Sequence, residues 1–398
     1  MRDLLKYTQR PEVISFAGGM PAPELFPLER FREAAERVLG DSAAGQTAMQ
    51  YSSTEGYLPL RKLILRHTAR YGIDARPENV LITTGSQQAL DLIAKLFINP
   101  GDPVLVEAPT YLGALQAFDV MGARYASVPV DDHGLQTDSR HMLRAMAEHP
   151  KFMYLLPNFQ NPSGVTLPLE RRQEVVRLAR KHGIPIVEDD PYGQLRYEGT
   201  HLPPLLKLDL EAEASHPANS LERGNVIYLS TFSKTLAPGL RLGWVIAPAE
   251  VITRLVQLKQ AADLHTSTFV QQLVFETARS GFLDSHIRGL RAAYRERRDV
   301  MLAALAAEMP LGASWTHPAG GLFVWLKLPE GMDCEALLQR ALERDVAFVP
   351  GTAFFAERAQ GERYCRLNFS NTPPDRIREG IQRLAGVLET KALEPELA

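Results

Sequence analysis

Short apolar runs alternate with longer amphipathic stretches through the middle of the chain. The short runs have the length and composition of buried strands, and the longer stretches carry apolar residues at helical spacing. Alternation of this kind predicts a mostly parallel sheet with helices on both faces, an α/β fold. The strands predicted from the pattern are 80–84, 104–107, 125–128, 152–156, 184–188, 226–230 and 243–247. The helices predicted between them are 87–97, 114–121 and 169–181.

The pattern changes after about residue 290. A long charged helix is predicted over residues 287–307, and the apolar runs 321–328, 346–349 and 364–369 follow it as strands. Glycine and proline pairs at 320–321 and 350–351 mark the turns. This part of the chain predicts a smaller α+β domain. The polar stretch 211–224 predicts a surface loop.

Composition narrows the classes of partner. The chain has 398 residues, of which 45% are hydrophobic and 23% charged, and its formal net charge is −3. The near-neutral balance offers no electrostatic reason to expect nucleic acid or an anionic membrane as a partner. The apolar runs are too short to span a bilayer, and residues 1–7 lack the apolar core of a signal peptide. Cys334 and Cys365 lack the spacing of a metal site or a disulfide framework, so we expect a cytoplasmic protein without a metal.

The segment 230–241 carries the strongest chemical signal. Lys234 lies between Ser233 and Arg241 and follows a predicted strand, at the end where open α/β sheets bind ligands. A lysine that attacks a carbonyl needs a lowered pKa, and a neighbouring cation helps to lower it. The hydroxyl of Ser233 and the guanidinium of Arg241 are suitable donors to a phosphate. Taken alone, a lysine after a strand is usually a solvated surface residue.

A second candidate lies where the first predicted strand meets its helix. Gly85, Ser86 and Gln87 begin the helix, and the free N–H groups of a first helical turn favour a phosphate. The alternative is a plain turn in which Ser86 caps the helix.

Two further turns contain polar residues suited to a heteroaromatic ligand. Asp189 ends a predicted strand, and Tyr192 follows three residues later. A buried carboxylate can keep a pyridine nitrogen protonated, and a tyrosine hydroxyl can bind a phenolic oxygen. Asn161, in Asn-Pro-Ser-Gly, has the signature of a β-turn, and its amide could also face a ligand. Acidic residues at strand ends are otherwise often helix caps or surface groups.

Three weaker signals are widely separated in the chain. Gly18 and Gly19 indicate either a flexible entry segment or a close approach of backbone to a ligand. Tyr51 lies in a predicted loop. Arg366 interrupts an apolar strand, where it would either pair with a structural carboxylate or capture a substrate carboxylate with two parallel hydrogen bonds.

Together and in this order, these segments resemble the fold type I pyridoxal-phosphate (PLP) aminotransferases. The likeness extends from about Ser15 to the carboxyl-terminal region. It is strongest to the branch of aminoadipate, kynurenine and aromatic aminotransferases, and within it to the bacterial 2-aminoadipate enzymes of lysine biosynthesis. The resemblance implies a large PLP-binding domain over residues 40–290, with a seven-stranded sheet, and a small domain made of residues 1–39 with 291–398. The segments that carry the finer likeness are 15–19, 50–56, 85–91 and 262–266.

The resemblance also implies roles for individual residues. Lys234 would hold PLP covalently and then move a proton between the substrate Cα and C4′ of the cofactor. Asp189 would pair with the pyridine nitrogen, while Tyr192 and Asn161 would bind the phenolic oxygen. Tyr111 would stack on the ring. The remaining cofactor contacts, around the phosphate, are implied for Gly85, Ser86, Gln87, Ser230, Ser233 and Arg241.

Substrate binding and assembly follow from the same resemblance. Arg366 would bind the α-carboxylate of the substrate, with Gly19 and Asn161 in that pocket. Tyr51 would reach the phosphate of the partner subunit's site, which implies a homodimer. Arg2 matches a position that can meet a distal carboxylate, and a solvated terminal arginine is the alternative. Relatives usually have a segment before that position, and the chain begins almost there.

The implied reaction is ping-pong transamination. The amino donor would be 2-aminoadipate, or an aromatic or branched-chain amino acid, and the acceptor would be 2-oxoglutarate. PLP-dependent lyases and decarboxylases use the same lysine and aspartate and are the alternative, because the sequence does not show which Cα bond is aligned for cleavage. A transcriptional regulator of this fold would need a winged helix before Ser15, and we do not expect one.

Overall fold

The computed structural model describes residues 12–40, 42–212 and 221–392. Their strands, in chain order, are β1 (Ile14–Ser15), β2 (Val80–Thr83), β3 (Pro103–Ala108), β4 (Arg124–Asp131), β5 (Gly134–Leu135), β6 (Met153–Leu155), β7 (Ile186–Asp189), β8 (Val226–Thr231), β9 (Gly243–Ile246), β10 (Ser314–Trp315), β11 (Phe323–Lys327), β12 (Val346–Ala347), β13 (Val349–Pro350) and β14 (Tyr364–Asn368). Their α-helices are Leu28–Gly40, Ser42–Met49, Leu58–Ala69, Gly85–Phe97, Leu112–Asp119, Arg140–Ala147, Leu169–His182, Leu205–Ala212, Ala249–Asp263, Thr268–Ala278, Phe282–Glu308, Cys334–Leu342 and Pro374–Ala392.

The largest sheet has eight strands in the order β2-β9-β8-β7-β6-β3-β4-β5. All but β9 and β5 run in one direction, because only those two pair antiparallel with their neighbours. The expected α/β fold with a mostly parallel sheet is confirmed. The eighth strand, β5, is only two residues long and folds back on β4, so it has no apolar run from which it could be predicted.

The central strands of this sheet are buried on both faces. Every residue of β6, β7, β8 and β9 is buried. Two apolar clusters cover the sheet, one containing Leu155 and Tyr228 and the other Leu156 and Leu229. Burial on both faces explains why these strands appear in the sequence as continuous apolar runs. Polar side chains at their carboxyl ends therefore lie at the edge of a rigid core.

A second unit is built from the amino-terminal segment and the last hundred residues. Its four-stranded antiparallel sheet has the order β10-β11-β14-β13, and β1 pairs with β12 in a separate parallel pair. The predicted α+β character is confirmed. The single strand expected over 346–349 is wrong in detail, because residues 346–347 pair with β1 whereas residues 349–350 pair with β14.

The boundaries of the two expected domains are crossed by continuous structure. The helix Phe282–Glu308 passes through residue 290, and the helix Leu28–Gly40 packs on Thr268–Ala278, where Arg37 lies 3.2 Å from Glu276. The division at residues 39/40 and 290/291 stays a prediction. The loop expected over 211–224 begins inside the helix Leu205–Ala212, and residues 213–220 lie outside the described ranges. Within those ranges, no helix has both the length and the apolar character to cross a membrane.

Candidate active site

A cavity of about 380 Å³ lies between the carboxyl edge of the large sheet and the second unit. This is the edge at which open α/β sheets bind ligands. On the other side, the cavity is closed by residues 17–21, Val349 and Arg366. The residues expected from the sequence that line it are Gly19, Ser86, Gln87, Tyr111, Asn161, Asp189, Tyr192, Ser233, Lys234, Arg241 and Arg366.

Asp189 reaches the cavity because of the alternation of side chains along β7. Its neighbours Glu188 and Asp190 point to the opposite face, where Glu188 accepts hydrogen bonds from the N–H groups of Leu205 and Leu206. Asp190 accepts from Asn158, from the N–H of Gly193 and from Tyr228. The predicted alternative, that acids at a strand end serve as caps, is thus correct for Glu188. Asp189 alone of the three lines the cavity.

The carboxylate of Asp189 has one oxygen bound and one unpartnered. Tyr154 donates its hydroxyl to Oδ2 at 2.8 Å, whereas the buried Oδ1 has no partner among the described residues. Burial raises the pKa of Asp189 to about 7, and the hydrogen bond from Tyr154 opposes that shift. A buried acceptor without a donor costs free energy, so a ligand that donates an N–H to Oδ1 would be favoured.

Lys234 is half-buried and its amine lies inside the cavity. Its Nζ donates to the carbonyl of Gly19 at 2.7 Å. Burial lowers its pKa to about 8, and the cations of Arg366 and Arg241 lower it further. A larger share of this amine is neutral near pH 7 than of an exposed lysine, so it is better suited to attack a carbonyl.

One corner of the cavity is suited to a phosphate. The helix Gly85–Phe97 starts there, so the N–H groups of its first turn are free for an anion. Gly85 has φ of +75°, and a Cβ on it would lie 2.6 Å from the Arg241 guanidinium. A Cβ on Gly243 would lie 2.8 Å from the backbone nitrogen of Ser86. The two glycines therefore let Arg241 and the helix start approach each other closely.

Ser233 lies at the same corner of the cavity, where its hydroxyl is next to that of Thr231. Thr231 donates its hydroxyl to the carbonyl of Leu242 at 2.8 Å, and its oxygen accepts from the N–H of Ser233 at 3.1 Å. The two hydroxyls lie 2.9 Å apart. These bonds fix the turn that carries Ser233 and Lys234 immediately after β8.

Arg366 lies across the cavity from the sheet and is buried. One Nη donates to Asn161 Oδ1 and the other to the carbonyl of Ala17, each at 2.8 Å. Its guanidinium lies 4.3 Å from the ring centroid of Phe323 and 4.9 Å from that of Phe354. Within the described part of the chain it pairs with no carboxylate, and its Nε is unpartnered. The structural ion pair considered as an alternative is absent there, and a charge remains for a ligand carboxylate.

The two aromatic residues expected at the ring of the ligand are both at the cavity. Tyr192 is buried, packs edge-on against Phe323 and lies within hydrogen-bonding reach of Asn161. Tyr111 precedes the helix Leu112–Asp119, and a Cβ on Gly113 would lie 2.5 Å from its ring. Burial raises the pKa of both hydroxyls, which keeps them neutral donors.

Four expected residues do not line this cavity. Ser230 donates its hydroxyl to the carbonyl of Asp190 at 2.8 Å, because its side chain lies on the opposite face of β8, so a cofactor contact there is wrong. Gly85 lies behind Arg241 and acts by leaving room for it. Tyr51 is 79% exposed and touches His265 edge-on. Arg2 lies outside the described residues.

Sequence reasoning missed several residues of the cavity wall. Thr231 and Leu156 line it, and strand alternation could have found both, since each shares the face of Asp189 in the registered strands. Tyr154, behind Asp189, lies on that same face. Gly18 lines it too, in agreement with the close approach of backbone considered for Gly18 and Gly19. The others contain no comparable signal: Ala17, Met20, Pro21, Pro191, Pro238 and Val349.

The residues present fit a cofactor with a ring nitrogen, a carbonyl and a phosphate. The Oδ1 of Asp189, unpartnered among the described residues, would accept from the ring nitrogen, and Lys234 would react with the carbonyl. The helix start at Ser86 and the guanidinium of Arg241, which the two glycines bring together, would hold the phosphate. Among the described residues, no group of three or more His, Cys, Asp or Glu side chains could hold a metal ion.

Comparison with known proteins places these features in a family. Residues 11–384 match the family described as aminotransferase class I and II. The chain is 46% identical to a 2-aminoadipate transaminase of Thermus thermophilus, over 98% of this chain and 93% of that protein. It is 32% identical to the mitochondrial kynurenine/alpha-aminoadipate aminotransferase of Bos taurus, over 95% and 92% of the two chains.

Solved structures agree with this placement. An alpha-aminoadipate aminotransferase from Thermus thermophilus, complexed with N-(5′-phosphopyridoxyl)-L-leucine, superposes with a TM-score of 0.87 at 44% identity and covers 99% of this chain and 95% of its own. A multiple substrate aminotransferase from Thermococcus profundus gives a TM-score of 0.89 at 43% identity, over 98% and 94% of the two chains.

Proposed function

The chain belongs to the class I and II aminotransferases, and we propose that it moves an amino group from 2-aminoadipate, or from an aromatic or branched-chain amino acid, to 2-oxoglutarate. It is a PLP-dependent aminotransferase, as its family, its relatives and the structural neighbour complexed with N-(5′-phosphopyridoxyl)-L-leucine establish. The relatives reported above are all aminotransferases, so a lyase or decarboxylase activity has no support. The observation that carries the proposal is the placement of Lys234 and Arg366 in one cavity.

The cofactor would be held at four points. Lys234 would bind it covalently, and Asp189 would accept from the ring nitrogen. Asn161 and Tyr192 would donate to the phenolic oxygen, with Tyr111 against the ring. The phosphate would lie among Ser86, Gln87, Ser233 and Arg241. PLP supplies an electron sink for the electrons left when a bond at the substrate Cα breaks.

The remaining chemistry is assigned to side chains of the chain. Arg366 would bind the α-carboxylate with two parallel hydrogen bonds and so fix the Cα next to Lys234. Displaced by the incoming amine, the neutral Nζ of Lys234 would take the proton from Cα and deliver it to C4′ of the cofactor. Its lowered pKa keeps part of this amine unprotonated near pH 7.

The range of donors is proposed from the wall around the substrate. Met20, Pro21 and Val349 give it an apolar surface, which favours leucine-like and aromatic side chains. The cations among the lining residues are Lys234, Arg241 and Arg366. The first two are proposed to bind the cofactor, and Arg366 is proposed to bind the α-carboxylate. A distal carboxylate, as in 2-aminoadipate, would then need a further cation, and Arg2 is the residue we propose for it.

Assembly as a homodimer is proposed from an exposed apolar patch around Tyr51. Met49 is 65% exposed, Tyr51 79%, Leu58 43% and Leu264 44%. The first three lie within residues 49–58, and Leu264 precedes His265, whose ring contacts Tyr51. Exposed large apolar side chains placed in this way favour an interface. In the dimer, Tyr51 would reach the phosphate of the partner subunit. A Tyr51→Phe variant that stays dimeric in sedimentation but binds PLP more weakly would support this arrangement, whereas a monomeric wild-type enzyme would contradict it.

Lysine biosynthesis is proposed from the relatives, and a cytoplasmic location from the two cysteines, which are free thiols. The Thermus thermophilus protein that matches over nearly the whole chain is named for 2-aminoadipate. A role in that pathway requires 2-aminoadipate to be a preferred donor.

A panel of amino donors with 2-oxoglutarate tests the proposal, with glutamate formation as the measurement. We expect 2-aminoadipate, leucine and phenylalanine all to be accepted, and Arg2→Ala to reduce kcat/KM for 2-aminoadipate only. If 2-aminoadipate is no better than leucine or phenylalanine, the role in lysine biosynthesis is wrong and transamination remains. If no donor yields glutamate, transamination itself is contradicted.

A further inference from the structure

Two buried tyrosines each donate a hydrogen bond to one of two adjacent aspartates. Tyr154, on β6, donates to Asp189 Oδ2 at 2.8 Å, and Tyr228, on β8, donates to Asp190 Oδ2 at 3.1 Å. Both tyrosines are buried, with 0% and 3% of their surface exposed. β7 lies between β6 and β8, and successive side chains at its end alternate between the two faces of the sheet. The two tyrosine–aspartate pairs therefore lie on opposite faces. They are chemically alike and differ in which side of the sheet they serve.

The pair on the cavity side is held rigidly. Tyr154 packs edge-on against Phe118, with ring centroids 5.5 Å apart, and lies opposite Val187 in the register of β6 and β7. Its hydroxyl therefore has little freedom to move away from Asp189. With Oδ2 bound in this way, the carboxylate cannot rotate without losing a buried hydrogen bond. The other oxygen, Oδ1, lies at the cavity and has no partner in the described part of the chain.

The pair on the other side is complete. Asp190 Oδ1 accepts from Asn158 at 3.0 Å and from the N–H of Gly193 at 2.9 Å, and Oδ2 accepts from Tyr228. Both oxygens of Asp190 are thus used inside the protein. Asp189 has one oxygen without a hydrogen bond from the described residues, whereas both oxygens of Asp190 accept hydrogen bonds. Only the carboxylate of Asp189 is therefore available to a ligand.

We propose that Tyr154 is a positioning residue for the cofactor: it fixes Asp189 so that Oδ1 faces the ring nitrogen of PLP. The proposal rests on the cofactor role given above to Asp189. The hydroxyl also acts electrostatically, since a hydrogen bond donated to a carboxylate favours its ionised form. Without it, burial would favour the neutral acid, which is a poorer partner for a protonated ring nitrogen.

The test compares two isosteric variants, Tyr154→Phe and the matched control Tyr228→Phe. Each is titrated as apoprotein with PLP and with its 1-deaza analogue, in which carbon replaces the ring nitrogen. We expect Tyr154→Phe to raise the Kd of PLP about tenfold, because a hydrogen bond to a charged group is lost, and to leave the Kd of the deaza analogue unchanged. Tyr228→Phe should change neither Kd.

Three results would overturn the proposal. Equal weakening of PLP and its deaza analogue by Tyr154→Phe would show a general packing effect. Unchanged PLP binding in Tyr154→Phe would show that the hydroxyl has no effect on Asp189. Weakening of PLP by Tyr228→Phe to the same extent would show that any lost tyrosine hydroxyl disturbs this strand. Wild-type protein that binds neither compound would instead contradict the proposed function.

A double variant tests whether Tyr154 acts through Asp189 rather than through general packing. In an Asp189→Asn background, the residue through which Tyr154 acts is already altered. Adding Tyr154→Phe should then change the PLP Kd by less than about twofold, because the two residues act as one unit. A full tenfold loss on top of Asp189→Asn would contradict the proposed path. Thermal melting of each apoprotein shows whether the variants are folded.

Discussion

The two walls of the cavity are built in different ways. The sheet wall, with Ser86, Asp189, Thr231 and Lys234, consists of residues at or just beyond the carboxyl ends of strands. The outer wall, with Gly19, Met20, Val349 and Arg366, is held by contacts between residues far apart in the chain, such as Arg366 with Ala17. The proposed cofactor contacts therefore lie on a rigid sheet edge, whereas the proposed substrate contacts depend on how two distant segments meet.

The difference in construction implies a difference in function that variants can separate. Changes in the sheet wall should alter cofactor binding or the chemical step. Changes in the outer wall should alter the response to substrate and leave PLP affinity nearly unchanged.

The largest effect is expected on the sheet wall, from Lys234→Ala. The change removes the covalent link to PLP and the amine that moves the proton, so kcat should fall by at least about a thousandfold. Single-turnover formation of the 2-oxo acid is the measurement. Lys95→Ala, a change in an exposed ion pair on a helix surface, is the control and should retain full activity. A Lys234→Ala variant that reacts at the wild-type rate would show that the sheet wall takes no part in the chemical step.

On the outer wall, Arg366→Leu should give the next largest effect. Truncating a buried charge that binds a carboxylate costs about 2–5 kcal/mol, so kcat/KM should fall by about 30-fold to 5,000-fold for every amino donor. The PLP Kd should stay within about threefold of the wild type. Steady-state kinetics and cofactor titration measure the two quantities. A loss of PLP affinity as large as the loss in kcat/KM would mean that the two walls do not act separately.

Gly85→Ala should weaken the phosphate corner of the sheet wall. The new Cβ would displace the Arg241 guanidinium, which is 2.6 Å away, and the left-handed φ of +75° would strain the alanine by about 1–2 kcal/mol. We expect about a tenfold higher Kd for PLP and an unchanged Kd for pyridoxal, which has no phosphate. Gly101→Ala has a similar φ of +88° and open space around it, and it controls for backbone strain. An equal loss for both cofactors would contradict the assignment of the phosphate corner.

The smallest expected effect is electrostatic: Arg366 in the outer wall influences the pKa of Lys234 in the sheet wall. Only the neutral amine of Lys234 captures an aldehyde, so capture of pyridoxal by the apoprotein should accelerate as the pH rises toward the pKa of about 8 and then level off. Arg366 is a cation that lowers this pKa. In Arg366→Leu the pKa should therefore rise, and the levelling should move to higher pH. An unchanged profile would show that the outer wall does not influence Lys234 electrostatically.

Much of the sheet wall could be predicted from the sequence because strand periodicity and turn residues are local signals. The choice between Ser230 and Thr231 shows that a motif alone does not tell which side chain faces the cavity. The alternation of side chains along β8 decides it. Both hydroxyls lie in one segment, but only Thr231 shares the face of Asp189, so Ser230 was the wrong residue.

The outer wall could be predicted only in part. Arg366 and Gly19 were expected, whereas Met20 and Val349 follow from pairings between the chain's two ends that no local pattern encodes. The fold was predicted to a similar degree. Strands of three or more residues gave apolar runs, and the two-residue strands β1, β5 and β10 did not.

The most direct test of the central claim is a half-reaction without an acceptor. PLP-loaded protein is mixed with excess leucine or 2-aminoadipate, and the 2-oxo acid formed is counted per subunit. A transaminase built on Lys234 and Arg366 should release one 2-oxo acid per subunit, retain the amino group on its cofactor and stop until 2-oxoglutarate is added. Continued turnover without an acceptor, with release of ammonia or carbon dioxide, would contradict the account.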